Sequence, residues 1–245
     1  MTETAGPAHL EFPRTDDLHH PMAWPLHHLR GGFAVYARRR WDVEVRGAEH
    51  VPPYGALLFV ANHIGFLDGP LMAIVGPRPV HALTKRELFA GPLGAFLRFS
   101  GQIPVDRFVI DPRAIRTGLR VLRDGGAVGM FPETTRGAGD MARVAGGAAY
   151  LALVTGATVV PTAFLGTRLA GSARTFAPRG SRLVMAYAEP LEVDPQPWPR
   201  RPDDVRVLTE EIRGAVVDLI AATERATGMS LPGPLPMTDR REDAR

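Results

Sequence analysis

Ala56-Leu57-Leu58-Phe59-Val60-Ala61-Asn62-His63-Ile64-Gly65-Phe66-Leu67-Asp68 opens as six apolar residues and closes as a polar turn with a His and, five residues on, an Asp. An apolar run this short and continuous reads as a strand buried on both faces, the kind found in parallel sheets. Positions i and i+5 lie about 140° apart on a regular helix, so His63 and Asp68 meet only across a tight turn, which Gly65 permits. A carboxylate that takes the Nδ1 proton of an imidazole fixes its tautomer and leaves Nε2 free to pull a proton from a hydroxyl. Alone the pair is weak evidence, because a buried His more often satisfies a structural hydrogen bond.

On either side, apolar strands alternate with helical stretches. Upstream, residues 22–40 read as a helix and Asp42–Arg46 as a strand with one wet face. Downstream, Gly69-Pro70 opens a short helix, and 79–83, 102–105, 127–131, 158–165 and 183–187 read as strands. Helices are expected at 92–98, at 112–123 with Asp111 as cap and Pro112 in the first turn, at 147–155, and at 203–224. The pattern predicts one α/β domain, a mixed and mostly parallel sheet flanked by helices on both faces. In such sheets sites gather outside the carboxyl ends of strands. The domain is expected over residues 22–228, between a flexible N-terminal tail (1–21) and a flexible C-terminal tail (229–245).

Composition narrows the chemistry. The 245 residues are 45% apolar and 22% charged, so the chain is globular, with ample length for a core. There is no Cys, which excludes disulfides, thiolate nucleophiles and Cys-based metal sites. The net charge is +3 and Lys85 is the only Lys among many Arg; no nucleic-acid partner is expected. Trp24, Phe33 and Tyr36 precede Arg38-Arg39-Arg40, a pattern that suits an anionic membrane surface, although cations also favour a helix C-terminus. Met1–Asp17 is polar and lacks the apolar core of a secretory signal. Residues 144–167 carry no charge and are long enough to span a bilayer, but Gly146, Gly147, Gly156 and Pro161 make them a buried helix, a turn and a buried strand. The doublets His19-His20 and His27-His28 have no accompanying carboxylate motif and read as surface residues rather than metal ligands.

Three further motifs end strands. Gly101-Gln102-Ile103-Pro104-Val105-Asp106-Arg107 closes on a cation suited to phosphate, or on a surface ion pair. Phe131-Pro132-Glu133-Thr134-Thr135-Arg136-Gly137 offers a carboxylate for hydroxyls, a guanidinium for phosphate and Thr donors, or else a braced loop. Residues 156–164, with Val159-Val160-Pro161 at their centre, read as a buried strand.

Taken in order, Asn62-His63-x4-Asp68, GQIPVDR, FPETTRG and VVPTAF resemble the glycerolipid acyltransferase family, which contains lysophosphatidic acid and glycerol-phosphate acyltransferases. The resemblance spans about residues 40–190. It implies the glycerol-phosphate acyltransferase-like fold, His63 as general base on an acceptor hydroxyl, and Asp68 orienting it. Asn62, Arg107, Glu133, Thr134, Thr135, Arg136 and Pro161 are the implied substrate-binding positions. It implies transfer from acyl-CoA or acyl carrier protein to a lysophospholipid, 1-acyl-glycerol-3-phosphate first, without cofactor or metal. The expected place is cytoplasmic, peripheral on the inner face of the cell membrane. An acyl-enzyme is not expected: the chain has no Cys, four Ser and no G-x-S-x-G elbow. Other acceptors, and a catalytically weak lipid-phosphate-binding module, stay open. One departure stands out: the family's Gly in the third motif is Thr134. If that residue has a positive φ, a β-branched side chain is strained by about a kcal/mol or more.

Overall fold

The structure is a computed structural model that describes residues 13–172 and 176–236. Two short helices, α1 (Trp24–His28) and α2 (Arg30–Arg40), lead into β1 (Asp42–Arg46) and β2 (Leu57–Ala61). Then come α3 (Asp68–Ile74), β3 (Val80–Lys85), α4 (Gly91–Phe99), β4 (Ile103–Val105), α5 (Pro112–Arg123) and β5 (Ala127–Met130). The chain closes with α6 (Gly147–Thr155), β6 (Thr158–Leu165), β7 (Arg182–Tyr187) and α7 (Pro202–Thr227). The expected single helix over 22–40 is broken at Leu29, just before Gly31-Gly32, where two residues of poor helix propensity fall together.

The seven strands form one sheet in the order β1-β7-β6-β2-β5-β3-β4. Five of them, β6, β2, β5, β3 and β4, are mutually parallel. β7 runs antiparallel to β6 and parallel to β1, which makes the sheet mixed at that edge. β2 is central and every residue of it is buried. Its two-residue period divides it between two cores. Leu57, Phe59 and Ala61 join α2 and α3 on one face; Leu58 and Val60 join α5, α6 and α7 on the other. Burial of each such side chain is worth about 1.5–3 kcal/mol, so the continuous apolar run is the cost of a doubly covered strand. The charge-free stretch 144–167 is α6, a left-handed Gly156 and β6, all inside this core. No helix among the described residues is long and apolar enough to cross a membrane.

The Asp111 side chain caps α5, accepting from the backbone N–H of Arg113 and of Ala114, both at 3.1 Å. On α7 the buried stripe is Leu208, Ile212, Val216, Ile220 and Thr223, whereas Val205 and Leu219 are half-buried. The parts of the two expected tails that are described have side-chain partners. Residues 1–12 and 237–245 lie outside the described residues. The stretch that follows residue 12 is held down: Thr15 is buried, Arg123 donates to its hydroxyl at 2.8 Å, and Arg116 pairs with Asp17. Leu231 N–H donates to Glu224, and Leu235 is buried. Composition shows polarity and proline there, but not the side chains of α5 and α7 that give the backbone partners.

Candidate active site

The carboxyl ends of the five parallel strands share one edge of the sheet, and four of the loops leaving them build the site. β2 delivers His63 and Asp68, 2.8 Å apart from Nδ1 to Oδ2. Because a carboxylate oxygen only accepts, Nδ1 carries the proton and Nε2 is left as an acceptor. Asp68 is fully buried and heavily committed. Its Oδ2 also accepts from the backbone N–H of Ile64 and Gly65, each at 2.8 Å, and its Oδ1 accepts from the Thr167 hydroxyl. The carboxylate therefore shapes the turn that it terminates.

Gly65 serves this turn differently from the sequence reading. Its φ is not left-handed; rather, a Cβ there would stand 2.6 Å from the Thr167 carbonyl oxygen. Close approach of β6's outgoing loop, not conformational freedom, requires the glycine. The His63 ring stacks on Phe131, with centroids 4.4 Å apart.

The third motif braces this loop. The sequence offers Glu133 as a ligand for substrate hydroxyls or as a brace; both its oxygens are turned inward, accepting from His63 N–H at 2.7 Å and Met141 N–H at 3.3 Å. In return the His63 carbonyl accepts from Gly137 N–H at 3.0 Å. Burial, opposed by those two N–H donors and reinforced by Asp140 and Asp68, pushes the Glu133 carboxyl up to about 7. A raised value means that the folded chain binds this proton more tightly than the unfolded one. The associated stability is complete below the ordinary value of 4.5 and is lost as pH rises through about 7. Denaturation series from pH 5 to 8 should therefore show wild type losing stability relative to Glu133→Gln; parallel curves would remove this assignment.

Thr134 has φ +61°. The strain that the sequence made conditional is present, in a β-branched residue. Its N–H donates to the Phe131 carbonyl at 3.1 Å and its own carbonyl accepts from Arg107 Nη1 at 2.7 Å, so the loop is held on both sides. Thr134→Gly should stabilise the fold by about 0.5–1 kcal/mol: relief of a left-handed residue exceeds the extra freedom that Gly gives the unfolded chain. A drop in the thermal midpoint would show the strain to be absent.

These residues face an open, mainly apolar cavity of about 910 Å³. His63, Arg107, Thr134 and Arg136 are in its wall, with Leu67, Ile74, Phe96 and Phe131 among the apolar contributors. The Arg107 Nε and Nη2 atoms are buried and have no hydrogen-bond partner among the described residues. An unmatched guanidinium edge is costly and well suited to a bidentate anion.

Other expected site residues stand elsewhere. Asn62 is fully buried and prolongs the β2–β6 ladder, donating to the Phe164 carbonyl at 3.1 Å and accepting from Phe164 N–H at 2.8 Å. Pro161 sits within β6 opposite Val60, its carbonyl accepting from Ala188 N–H, and does not line the cavity. Thr135 is exposed but also off the cavity wall. No group of three or more His, Cys, Asp or Glu converges as a metal site among the described residues.

The sequence reading missed three residues. Lys85, at the end of β3, joins the cavity wall. Thr167 holds Asp68, and Arg168 is a buried strut that donates to the carbonyls of Ile64 (3.0 Å), Gly137 (2.8 Å) and Gly233. Burial lowers the Arg168 guanidinium's proton affinity, and nearby Asp68 partly restores it. The signal is present in the sequence: Gly166-Thr167-Arg168 follows an apolar strand, as the other three motifs do, and lies just past the 156–164 stretch.

Comparison with known proteins adds a family context. Residues 42–165 match the sequence model of a family described as Acyltransferase. The chain is 31% identical over 140 residues to the 1-acyl-sn-glycerol-3-phosphate acyltransferase of Bacillus subtilis, 56% of this chain and 65% of that one. It is 29% identical over 181 residues to the human 1-acyl-sn-glycerol-3-phosphate acyltransferase alpha, 71% of this chain and 62% of that one. Both matches span less than two thirds of the relative's length. Among solved structures, the 1-acyl-sn-glycerophosphate (LPA) acyltransferase PlsC from Thermotoga maritima superposes with a TM-score of 0.57 at 25% identity, covering 79% of each chain.

Proposed function

Since this chain belongs to the acyltransferase family, we propose that it moves a fatty acyl group from a thioester to the free hydroxyl of 1-acyl-glycerol-3-phosphate, giving phosphatidate. The observation that carries the reading is the 2.8 Å His63–Asp68 pair set in the wall of a large apolar cavity. His63 Nε2 takes the acceptor's hydroxyl proton while Asp68 holds Nδ1–H and balances the imidazolium that forms. The acceptor oxygen attacks the thioester carbonyl, the carbon–sulfur bond breaks, and the imidazolium returns its proton to the thiolate. Acyl-CoA and acyl carrier protein are both donors of this chemistry.

Arg107, whose Nε and Nη2 edge is unmatched, binds the acceptor phosphate, with Arg136 and Lys85 adding positive charge on the same wall. The apolar wall takes the acyl chains. Glu133 and Asn62 serve the reaction from behind, by fixing the loops that carry His63 and Arg136. An anionic membrane surface is the partner that supplies the acceptor, and the enzyme works bound peripherally to it.

The test is incubation with lysophosphatidate and a panel of acyl-CoA and acyl carrier protein thioesters, with His63→Ala alongside. Thiol release and lipid product are followed by mass spectrometry. Phosphatidate formation lost in the variant is the expected result. No product with any donor, or product undiminished in the variant, would sink the reading.

A further inference from the structure

The segment that follows Arg107 is oddly built for a loop. Phe108, Val109 and Ile110 are 60%, 63% and 91% exposed, three consecutive large apolar side chains held out into solvent. They are not slack. Phe108 N–H donates to Asp106 Oδ1 at 3.0 Å, and Asp106 N–H donates to Asp111 Oδ2 at 3.0 Å. Arg86 pairs with the same Asp111 carboxylate, which also caps α5. The carboxylates of Asp106 and Asp111 at the base thus have partners within the protein, and the apolar tip is carried on an ionic footing. Surface loops are ordinarily polar, and an apolar tip needs a partner to cover it.

We propose that Phe108–Ile110 is a wedge that inserts into the acyl region of a phospholipid bilayer and seats the cavity mouth there. The occupant follows from three features. The tip is continuous with the cavity, whose wall includes all three residues. In the wall of the same cavity, Phe33 of α2 and Phe96 of α4 pack with centroids 5.9 Å apart and are each about two-fifths exposed, which adds to its exposed apolar surface. Cations lie immediately below the tip: the Arg107 guanidinium stands 5.7 Å from the Phe108 ring centre, and Arg86 is at the base. Apolar side chains outermost with guanidinium groups behind them match the order of acyl chains and phosphates in a bilayer. The inference deepens the proposed function by naming the surface from which the acceptor is drawn, and it places a second attachment point beside the N-terminal helices.

The chain has no Cys, so Ile110→Cys in the full protein creates a single labelling site for an environment-sensitive fluorophore. Tyr54→Cys, at an 81% exposed position before β2 and so at the opposite end of the sheet from the site, is the control. Vesicles of phosphatidylcholine and phosphatidylglycerol are added, with quenchers placed either on acyl chains or on headgroups. The expected result is a blue-shifted signal at 110, quenched from the acyl chains, and an aqueous signal at 54. An aqueous signal at 110 while the protein sediments with the vesicles would overturn the wedge, as would an equal response at both positions.

In parallel, the pair Phe108→Ser and Ile110→Ser should lower vesicle affinity by about tenfold or more with the fold intact by circular dichroism. Unchanged affinity would overturn the proposal. So would a wild-type dimer that this pair converts to monomer, since the tip would then cover a second copy of the chain. Neither readout needs a thioester or turnover, so failure of the proposed reaction and failure of the wedge are separately visible.

Discussion

His63→Ala is expected to lower turnover by about 10²–10⁴-fold, the range that a positioned general base contributes, with acceptor binding little changed. The separation follows from how His63 is attached. Its backbone N–H donates to Glu133 and its carbonyl accepts from Gly137, bonds that Ala keeps. Its ring is only one of several partners of Asp68, which retains the Ile64 and Gly65 N–H groups and the Thr167 hydroxyl. The unmatched edge of Arg107, proposed to take the phosphate, belongs to another strand end and is untouched. Single-turnover rates and equilibrium binding of lysophosphatidate measure the two effects separately. Equal loss of both would mean that the substitution disorders the loop, and loss of neither would favour a lipid-phosphate-binding module.

Asp68→Asn is expected to cost about 10²–10³-fold in turnover, through His63 rather than through the fold. Asn offers one carbonyl oxygen and one NH₂. The oxygen can replace Oδ2 toward Ile64 N–H, Gly65 N–H and His63 Nδ1, while the NH₂ turns to the Thr167 hydroxyl, which can accept. The turn survives, but the negative charge that balances the imidazolium is gone. Asp68→Ala, by contrast, strands two backbone N–H groups in a fully buried position and should fail to fold stably. If Asp68 acts through His63, adding Asp68→Asn to His63→Ala costs little more than His63→Ala alone. Additive losses would give Asp68 a separate role.

Local periodicity and turn chemistry made much of the architecture legible in advance. The buried strand 57–61, the capped start of α5 and the helix–Gly–strand passage from α6 to β6 each depend on neighbours a few residues away. The placing of His63 and Asp68 was legible for the same reason: five residues and one turn contain the whole pair. The sequence also contained the Thr departure, and its apolar runs implied that both sheet faces are covered.

Tertiary structure alone decided the rest. β7 and β1 reverse against the parallel five because long connections, which carry no pairing signal, determine which strand edges meet. The roles of the polar residues were open for the same reason. Glu133 reads equally well as a ligand or a brace until its partner, 70 residues away at His63 N–H, is in place. Thr167 reaches Asp68 across 99 residues and Arg168 reaches Ile64 across 104. Pro161 and Asn62 belong to motifs that end in the site, yet β6 packs them into the sheet. Residue types and short spacings specify which groups can do the chemistry. Only packing fixes which face the cavity and which hold its walls, because hydrogen-bond partners are chosen in space and not along the chain.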